Sequence, residues 1–434
     1  MAQPTRTLED ALAAARDRYA AANPGSRAAY EAALAVLPGG NTRSTVHYPP
    51  FPLAVASATG CRLTDLDGHE YVDLLGEYTA GLYGHDHPVI RRAIDTALDA
   101  GWNYGAPGTG EARLARVLCD RFPSLEQVRF TNSGTEANLL ALATATAFTG
   151  RPAVLVFAGA YHGSVLSFGP DGQGLPINVP HEWVVGTYND LAGTDALIAG
   201  HADRLAAVLV EPMLGSGGCV PADPAFLELL RRRTAEVGAL LIFDEVMTSR
   251  MSGGGRQQQL GVRPDLTTLG KYIGGGMSCG AFGGRADVLA MYDARRPGAV
   301  PHAGTFNNDV LSMAAGLAGL TQVFGPEVAD ELFERGERLR ERLNEVTAGV
   351  AVQWTGLGSL LNVHFQDGPI RSAGDIDPAP QLRELFHLEL LARGCYLARR
   401  GLVALSLAVG PDERAAFVDA VVDVVAAHRG LLGG

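Results

Sequence analysis

The chain has 434 residues, 47% of them apolar, and a formal net charge of −12. That length suits one large domain plus a smaller one, and the acidic balance argues against a nucleic-acid partner, because phosphate backbones demand clustered Lys and Arg. No stretch approaches the roughly 18 uninterrupted apolar residues of a membrane span, and five cysteines without paired spacing suggest neither a disulfide framework nor a zinc site. A reduced, cytoplasmic protein without a metal centre is expected.

The first predicted element is a polar, alanine-rich amphipathic helix from Leu8 to Ala22, without the apolar core of a signal peptide. Pro38-Gly39-Gly40-Asn41-Thr42-Arg43 reads as a turn-rich segment. Two short strands, Ala54–Ser57 and Cys61–Asp65, follow with Gly60 at their turn, and Tyr71–Leu74 is a third piece. From about Gln127 short apolar runs alternate with helical periodicity. The predicted series is a strand at Val128–Phe130, a helix at Thr135–Thr149 and strands at Ala153–Phe157 and Ala206–Val210. A helix at Phe226–Val237 and a strand at Leu240–Phe243 complete it. That alternation predicts a largely parallel sheet between helices, with ligands bound outside the carboxyl ends of its strands. Ser252-Gly253-Gly254-Gly255 reads as a flexible loop. Helices at Val310–Phe324 and Glu327–Val346, strands near Val352–Trp354 and Leu360–Phe365, and a helix from Asp412 to His428 complete the chain.

Two strand ends carry chemistry. Leu240–Phe243 runs straight into Asp244, and Leu266-Thr267-Thr268 leads to Lys271, followed by three glycines that let the backbone approach a flat ligand. An amine and a carboxylate so placed are what pyridoxal phosphate needs: the amine bonds its aldehyde, and the carboxylate keeps its ring nitrogen protonated. From these two residues alone, a surface lysine and a helix-capping aspartate fit equally well. Ser133-Gly134-Thr135 joins a strand to a helix, where free backbone amides favour a phosphate, although a plain helix cap reads the same way. Tyr161 follows a strand and can stack on a planar ring or plug the sheet rim; His162 beside it reads as a structural group. Glu211 ends another strand, as a cofactor contact or as half of a structural ion pair.

The runs Phe130–Ala137, Asp244-Glu245-Val246-Met247-Thr248 and Leu269–Met277 resemble the class III aminotransferases, and more narrowly their glutamate-1-semialdehyde aminomutase branch. Within it, Glu77–His85, Gly304-Thr305-Phe306-Asn307-Asn308, Asn41–Ser44 and Arg400–Leu402 resemble bacterial β-amino-acid aminotransferases of the β-phenylalanine type. Aminomutases usually follow Tyr-His-Gly with a His-Ala-Asp-like segment and Gly-Thr with Leu-Ser-Gly-Asn. Here Ser164-Val165-Leu166 and Phe306-Asn307-Asn308-Asp309 stand there, pointing away from the mutase reaction.

The resemblance implies an α/β chain of fold type I, with a mostly parallel seven-stranded sheet in a large domain (residues 86–325). A smaller α/β domain would come from residues 1–85 and 326–434. It implies pyridoxal 5′-phosphate as cofactor, Lys271 as the Schiff-base lysine and general base, and Asp244 as partner of the ring nitrogen. Ser133, Gly134 and Thr135 would hold the phosphate, Tyr161 would stack on the ring, and Glu211 and Val246 would line the site. Thr305 would reach the phosphate of a neighbouring subunit, making a homodimer with shared sites. Arg43 would receive the carboxylate of a β-amino acid and Arg400, or Arg399 beside it, the second carboxylate. Tyr78 and Met247 would shape an apolar pocket. The implied activity is transamination from an aromatic β-amino acid to an α-keto acid such as 2-oxoglutarate or pyruvate. The alternatives are glutamate-1-semialdehyde 2,1-aminomutase and another amine or ω-amino-acid aminotransferase.

Overall fold

A computed structural model describes residues 7–433, and the chain divides into two compact units. The larger unit, His87–Glu334 with Pro369–Asp375, is built on a seven-stranded sheet. Its strands are β1 (Gln127–Thr131), β2 (Ala153–Phe157), β3 (Glu182–Gly186), β4 (Leu205–Val210), β5 (Leu240–Asp244), β6 (Leu266–Gly270) and β7 (Gly280–Gly284). Across the sheet they run β1-β7-β6-β5-β4-β2-β3. Pairing from β6 to β3 is parallel throughout, whereas β7 lies antiparallel to both β6 and β1. β2, β4 and β5 are buried at every residue, as expected for parallel strands covered on both faces.

The helix Gly134–Thr149 contributes Ala137, Ala141, Leu142 and Ala145 to the core, against Val154, Leu209, Ile242 and Phe282 from the sheet. Gly150, in the left-handed region at φ 68°, ends it.

Two strands of this sheet, β3 and β7, are not among the predicted ones, and β7 shows why most clearly. Its residues are Gly-Ala-Phe-Gly-Gly, and glycine is depleted in strands. Here the glycines permit close approach: a Cβ on Gly280 would run into the Ser133 carbonyl, and one on Gly283 into that of Gln127. Two further expectations are corrected. Ser252–Gly255 is no flexible loop but a buried turn; a Cβ on Gly253 would come within 2.7 Å of Pro326, and one on Gly255 within 2.8 Å of the Glu245 carboxylate. The helix from Val310 ends at Ala318 and continues only as a π-helical turn, Gly319–Val323.

The smaller unit comprises the chain up to Asp86, Arg335–Gly368 and the chain from Ile376. Its first helix, Leu8–Ala22, starts at a capping box in which Thr7 Oγ1 accepts the Asp10 N–H at 3.1 Å and Asp10 reaches back to Thr7. It packs Leu12, Ala15 and Tyr19 against Leu385 and Leu388 of the Pro380–Leu391 helix. Ion pairs from Arg16 to Glu384 (2.5 Å) and from Arg18 to Glu389 (2.6 Å) reinforce that contact. Val55–Thr59, Arg62–Asp65, Glu70–Asp73 and Cys395–Tyr396 form one sheet, and Gln353–Leu357, Leu360–His364 and Leu402–Ala404 another.

Burial alone would raise the Glu389 carboxyl, but bonds from His428 (3.3 Å) and Arg393 (2.7 Å), with Arg18 nearby, outweigh it and hold the pKa at about 2. Since the ordinary carboxyl value is about 4.3, this stabilisation is complete above that pH and is lost as pH falls towards about 2. Melting temperature against pH should therefore drop more shallowly through this window in Glu389→Gln than in the parent. The difference corresponds to about 1–2 kcal/mol after allowance for solvent screening. Parallel curves would remove Glu389 from the acid response.

Among the described residues no helix is long and apolar enough to cross a membrane, and no group of three or more His, Cys, Asp or Glu could hold a metal ion. All five cysteines are free.

Candidate active site

Four loops meet at the carboxyl ends of β1, β2, β5 and β6. The glycines show how closely. A Cβ on Gly134 would lie 2.8 Å from Val246 Cγ2, and one on Gly270 would lie 3.2 Å from the Gly134 nitrogen. A Cβ on Gly163 would collide with the Thr135 side chain. The Ser133–Thr135 helix start, the Tyr161–Gly163 loop, the turn after Asp244 and the Gly270–Lys271 junction therefore occupy one place.

Ser133 caps the Gly134–Thr149 helix, its Oγ accepting the Glu136 N–H at 3.2 Å. The amides of Gly134 and Thr135 precede the first intrahelical bond, so they stand ready for an anion. Lys271 follows β6 directly and sits in the left-handed region at φ 59°, a conformation unusual for a residue with a side chain.

Asp244, at the end of β5, is 4% exposed and held by three donors. Its Oδ2 accepts from Asn138 Nδ2 at 2.8 Å and faces His162 Nδ1 at 2.7 Å, while Oδ1 accepts the Val246 N–H at 3.0 Å. Thr268 on β6 donates to Asn138 Oδ1 at 2.7 Å. Asn138 thus ties the carboxylate to the strand that presents Lys271.

Sequence reasoning passed over Asn138 and Thr268 and read His162 as merely structural. The available signal was a single asparagine, five residues after the cap, leading into the apolar run Leu139–Ala143 of the helix. His162 Nε2 is buried and lacks a hydrogen-bond partner among the described residues.

Glu211, just after β4, is also buried. Oε1 accepts the Tyr161 N–H at 3.0 Å and Oε2 the Gly215 N–H at 2.9 Å, so its visible work is to fix the loop that carries Tyr161. Burial pushes its pKa up to about 7; His162 lowers it and Asp244 raises it further. The Tyr161 ring is 41% exposed at the rim. Met247 is half-buried, and a Cβ on Gly215 would strike its sulfur.

The smaller unit gathers a second cluster by itself. Gly76, Glu77, Tyr78 and Thr79 all have positive φ (51°, 49°, 52° and 82°), and this left-handed run presents the Tyr78 ring. Arg43 lies 5.5 Å and Arg400 5.3 Å from its centroid, both within cation–π range. The Tyr78 hydroxyl donates to the Thr45 carbonyl at 2.8 Å, and Arg43 also pairs with Glu77. Arg399 is occupied elsewhere, 3.5 Å from the buried Glu384.

Thr305 is not among the four loops. It lines a separate cleft of about 700 Å³ with Trp102, Tyr104, Arg129, His302 and Asn307, and neither Lys271 nor Asp244 borders it.

Residues 44–169 and 179–407 match the family described as Aminotransferase class-III. The chain belongs to the class III aminotransferases. This aminotransferase is 51% identical over 428 residues to the β-phenylalanine transaminase of Variovorax paradoxus, covering 98% of both chains. It is 39% identical to the glutamate-1-semialdehyde 2,1-aminomutase of Sorangium cellulosum (strain So ce56), covering 86% of this chain and 89% of that one. A solved structure of a β-phenylalanine aminotransferase from Variovorax paradoxus superposes with a TM-score of 0.97 at 50% identity, over 98% of this chain and 99% of the other.

The cofactor of this aminotransferase is pyridoxal phosphate, and the residues present fit it. Free amides at the start of a 16-residue helix suit its phosphate. A buried carboxylate with an acceptor position left on Oδ1 suits a protonated ring nitrogen, and the orphaned His162 Nε2 lies on the same loop as Tyr161.

Proposed function

We propose that this aminotransferase takes the amino group of an aromatic β-amino acid of the β-phenylalanine kind and passes it to an α-keto acid such as 2-oxoglutarate or pyruvate. The observation that carries the reading is the pair of guanidinium groups, Arg43 and Arg400, flanking one tyrosine ring. In a β-amino acid the amine stands one carbon further from the carboxylate than in an α-amino acid. A donor and an acceptor that share one site thus need two carboxylate anchors, and a planar fork of donors suits each. Arg399, engaged by Glu384, is the weaker choice for the second. The 51% identity to a protein named β-phenylalanine transaminase supports the same substrate class.

The chemistry that bound pyridoxal phosphate would supply is an electron sink for the carbon bearing the amine. Lys271 Nζ removes the proton from that carbon as general base and hands it on. Asp244 would hold the ring-nitrogen proton, while Asn138 and His162 fix its carboxylate through Oδ2. Ser133, Gly134 and Thr135 would hold the phosphate and Tyr161 would stack on the ring, with Glu211 fixing the Tyr161 loop and Val246 beside Gly134. Tyr78, beside Arg43 and Arg400, and Met247 are each assigned to contact with the donor's apolar side chain. Thr305 serves the phosphate of a second copy, so the working unit is a cytoplasmic homodimer with shared sites, its cofactor domain within residues 86–325 and its smaller domain from residues 1–85 and 326–434.

The test is a half-reaction. Holoenzyme mixed with β-phenylalanine and no keto acid should lose the visible band of the lysine-bound cofactor and release the β-keto acid. Arg43→Gln should raise KM for β-phenylalanine about tenfold or more with a smaller change in kcat, and Arg400→Gln should do the same for 2-oxoglutarate. Turnover of glutamate-1-semialdehyde without any acceptor would select the mutase instead. An unchanged spectrum with β-phenylalanine would sink the donor assignment.

A further inference from the structure

On the smaller unit four arginines surround one hollow. Arg335, Arg338 and Arg342 stand at i, i+3 and i+7 of the Pro326–Val346 helix and so share a face; Arg414 meets them from the first turn of the Pro411–His428 helix. The hollow measures about 410 Å³, within the range of small-molecule sites (roughly 300–1,000 Å³). Leu339 and Val418, both buried, form its floor, and Asp419 is the one carboxylate lining it among the described residues.

Arg414 is the member of this group held least favourably. Arg414 occupies the positive end of its helix, where a cation is disfavoured. Burial, and then the charges of Arg335 and Arg338, push its guanidinium below the ordinary pKa, with Glu413 opposing. Glu413 is engaged elsewhere, accepting the Gly410 N–H at 3.1 Å and an Arg62 N–H at 3.2 Å. Arg414 itself makes a bond to the Val409 carbonyl at 2.8 Å, and Arg342 pairs with the exposed Glu345 at 3.0 Å. In a chain of net charge −12, four cations around one hollow do not follow from composition.

We propose that this hollow binds a compact multivalent phosphate anion, either inorganic or carried on a small metabolite. Guanidinium forks match phosphate oxygens bidentately, and an apolar floor with a charged wall holds such an anion while excluding water beneath it. High charge density, more than shape, is what four convergent cations select.

The experiment is titration calorimetry on the full chain loaded with pyridoxal phosphate, so that the helix start at Gly134 is filled. The probes are inorganic pyrophosphate, fructose 1,6-bisphosphate and citrate. One saturable phosphate site per chain is expected, weakening as sodium chloride is raised. Arg335→Gln/Arg342→Gln should weaken it at least tenfold, leave transamination without anion unchanged, and melt no lower than the parent because like charges have been removed. Tighter binding of pyrophosphate would identify the inorganic source, and tighter binding of the bisphosphate the organic one. No saturable heat, equal affinity in the double variant, a lower melting temperature, citrate binding as tightly as phosphate, or a loss caused instead by Arg43→Gln would each overturn the assignment.

Discussion

Lys271→Ala is expected to lower transamination by about 10⁴-fold while the chain stays folded, because the proton transfer assigned to Nζ has no substitute at the end of β6. The backbone sharpens the experiment. Lys271 sits at φ 59°, and alanine there bears the same left-handed penalty as lysine. Lys271→Gly relieves it, so the glycine variant should unfold at higher denaturant than the alanine variant, by about 1 kcal/mol, and be just as inactive. Rates with β-phenylalanine, the visible spectrum and denaturant midpoints check all three statements. Turnover within tenfold of the parent would remove Lys271 from the chemistry.

Asp244→Asn should cost about 10²- to 10³-fold in kcat, with cofactor still bound through the helix start at Gly134. Two effects combine. The charge offered to the ring nitrogen disappears, and the amide must either turn a donor toward Asn138 and His162 or give up its acceptor facing the ring. Unpaired donors in a buried cluster cost about 1–3 kcal/mol, so the melting temperature should fall as well. Asp244→Ala leaves His162 and Asn138 without this partner and should be the less stable of the two. Equal kcat for parent and Asp244→Asn would show that the ring nitrogen needs no anionic partner here.

What could be read in advance depended on how much chemistry each segment advertises. The wholly apolar runs Ala153–Phe157 and Leu205–Val210 declare themselves as buried parallel strands, and Leu8–Ala22 matches its predicted bounds. β7 stayed hidden because its glycines are selected by the Ser133 and Gln127 carbonyls beside them, a tertiary demand that local propensity reports as a loop. Ser252–Gly255 misled for the same reason. In the site, the strand-end positions of Lys271, Asp244 and Glu211 were legible because a charged residue after an apolar run has few places to go. Asn138 and Thr268 were not, since their worth lies in bonds to one another and to Asp244 across three elements.

The left-handed run at Gly76–Thr79 bears on any attempt to redesign the donor preference. Three of its four residues carry side chains in a backbone region that most amino acids resist, at about 1–3 kcal/mol each. A mutagenesis library at positions 77–79 therefore samples a narrow alphabet: glycine, asparagine and aspartate are admitted cheaply, while β-branched residues are rejected for reasons unrelated to any ligand. Position 76 is narrower still, because a Cβ there would lie 2.8 Å from the Ala404 carbonyl. Variation aimed at new donors is better placed at Met247, which lies outside this run, where a change of side chain leaves the loop that presents Tyr78 intact.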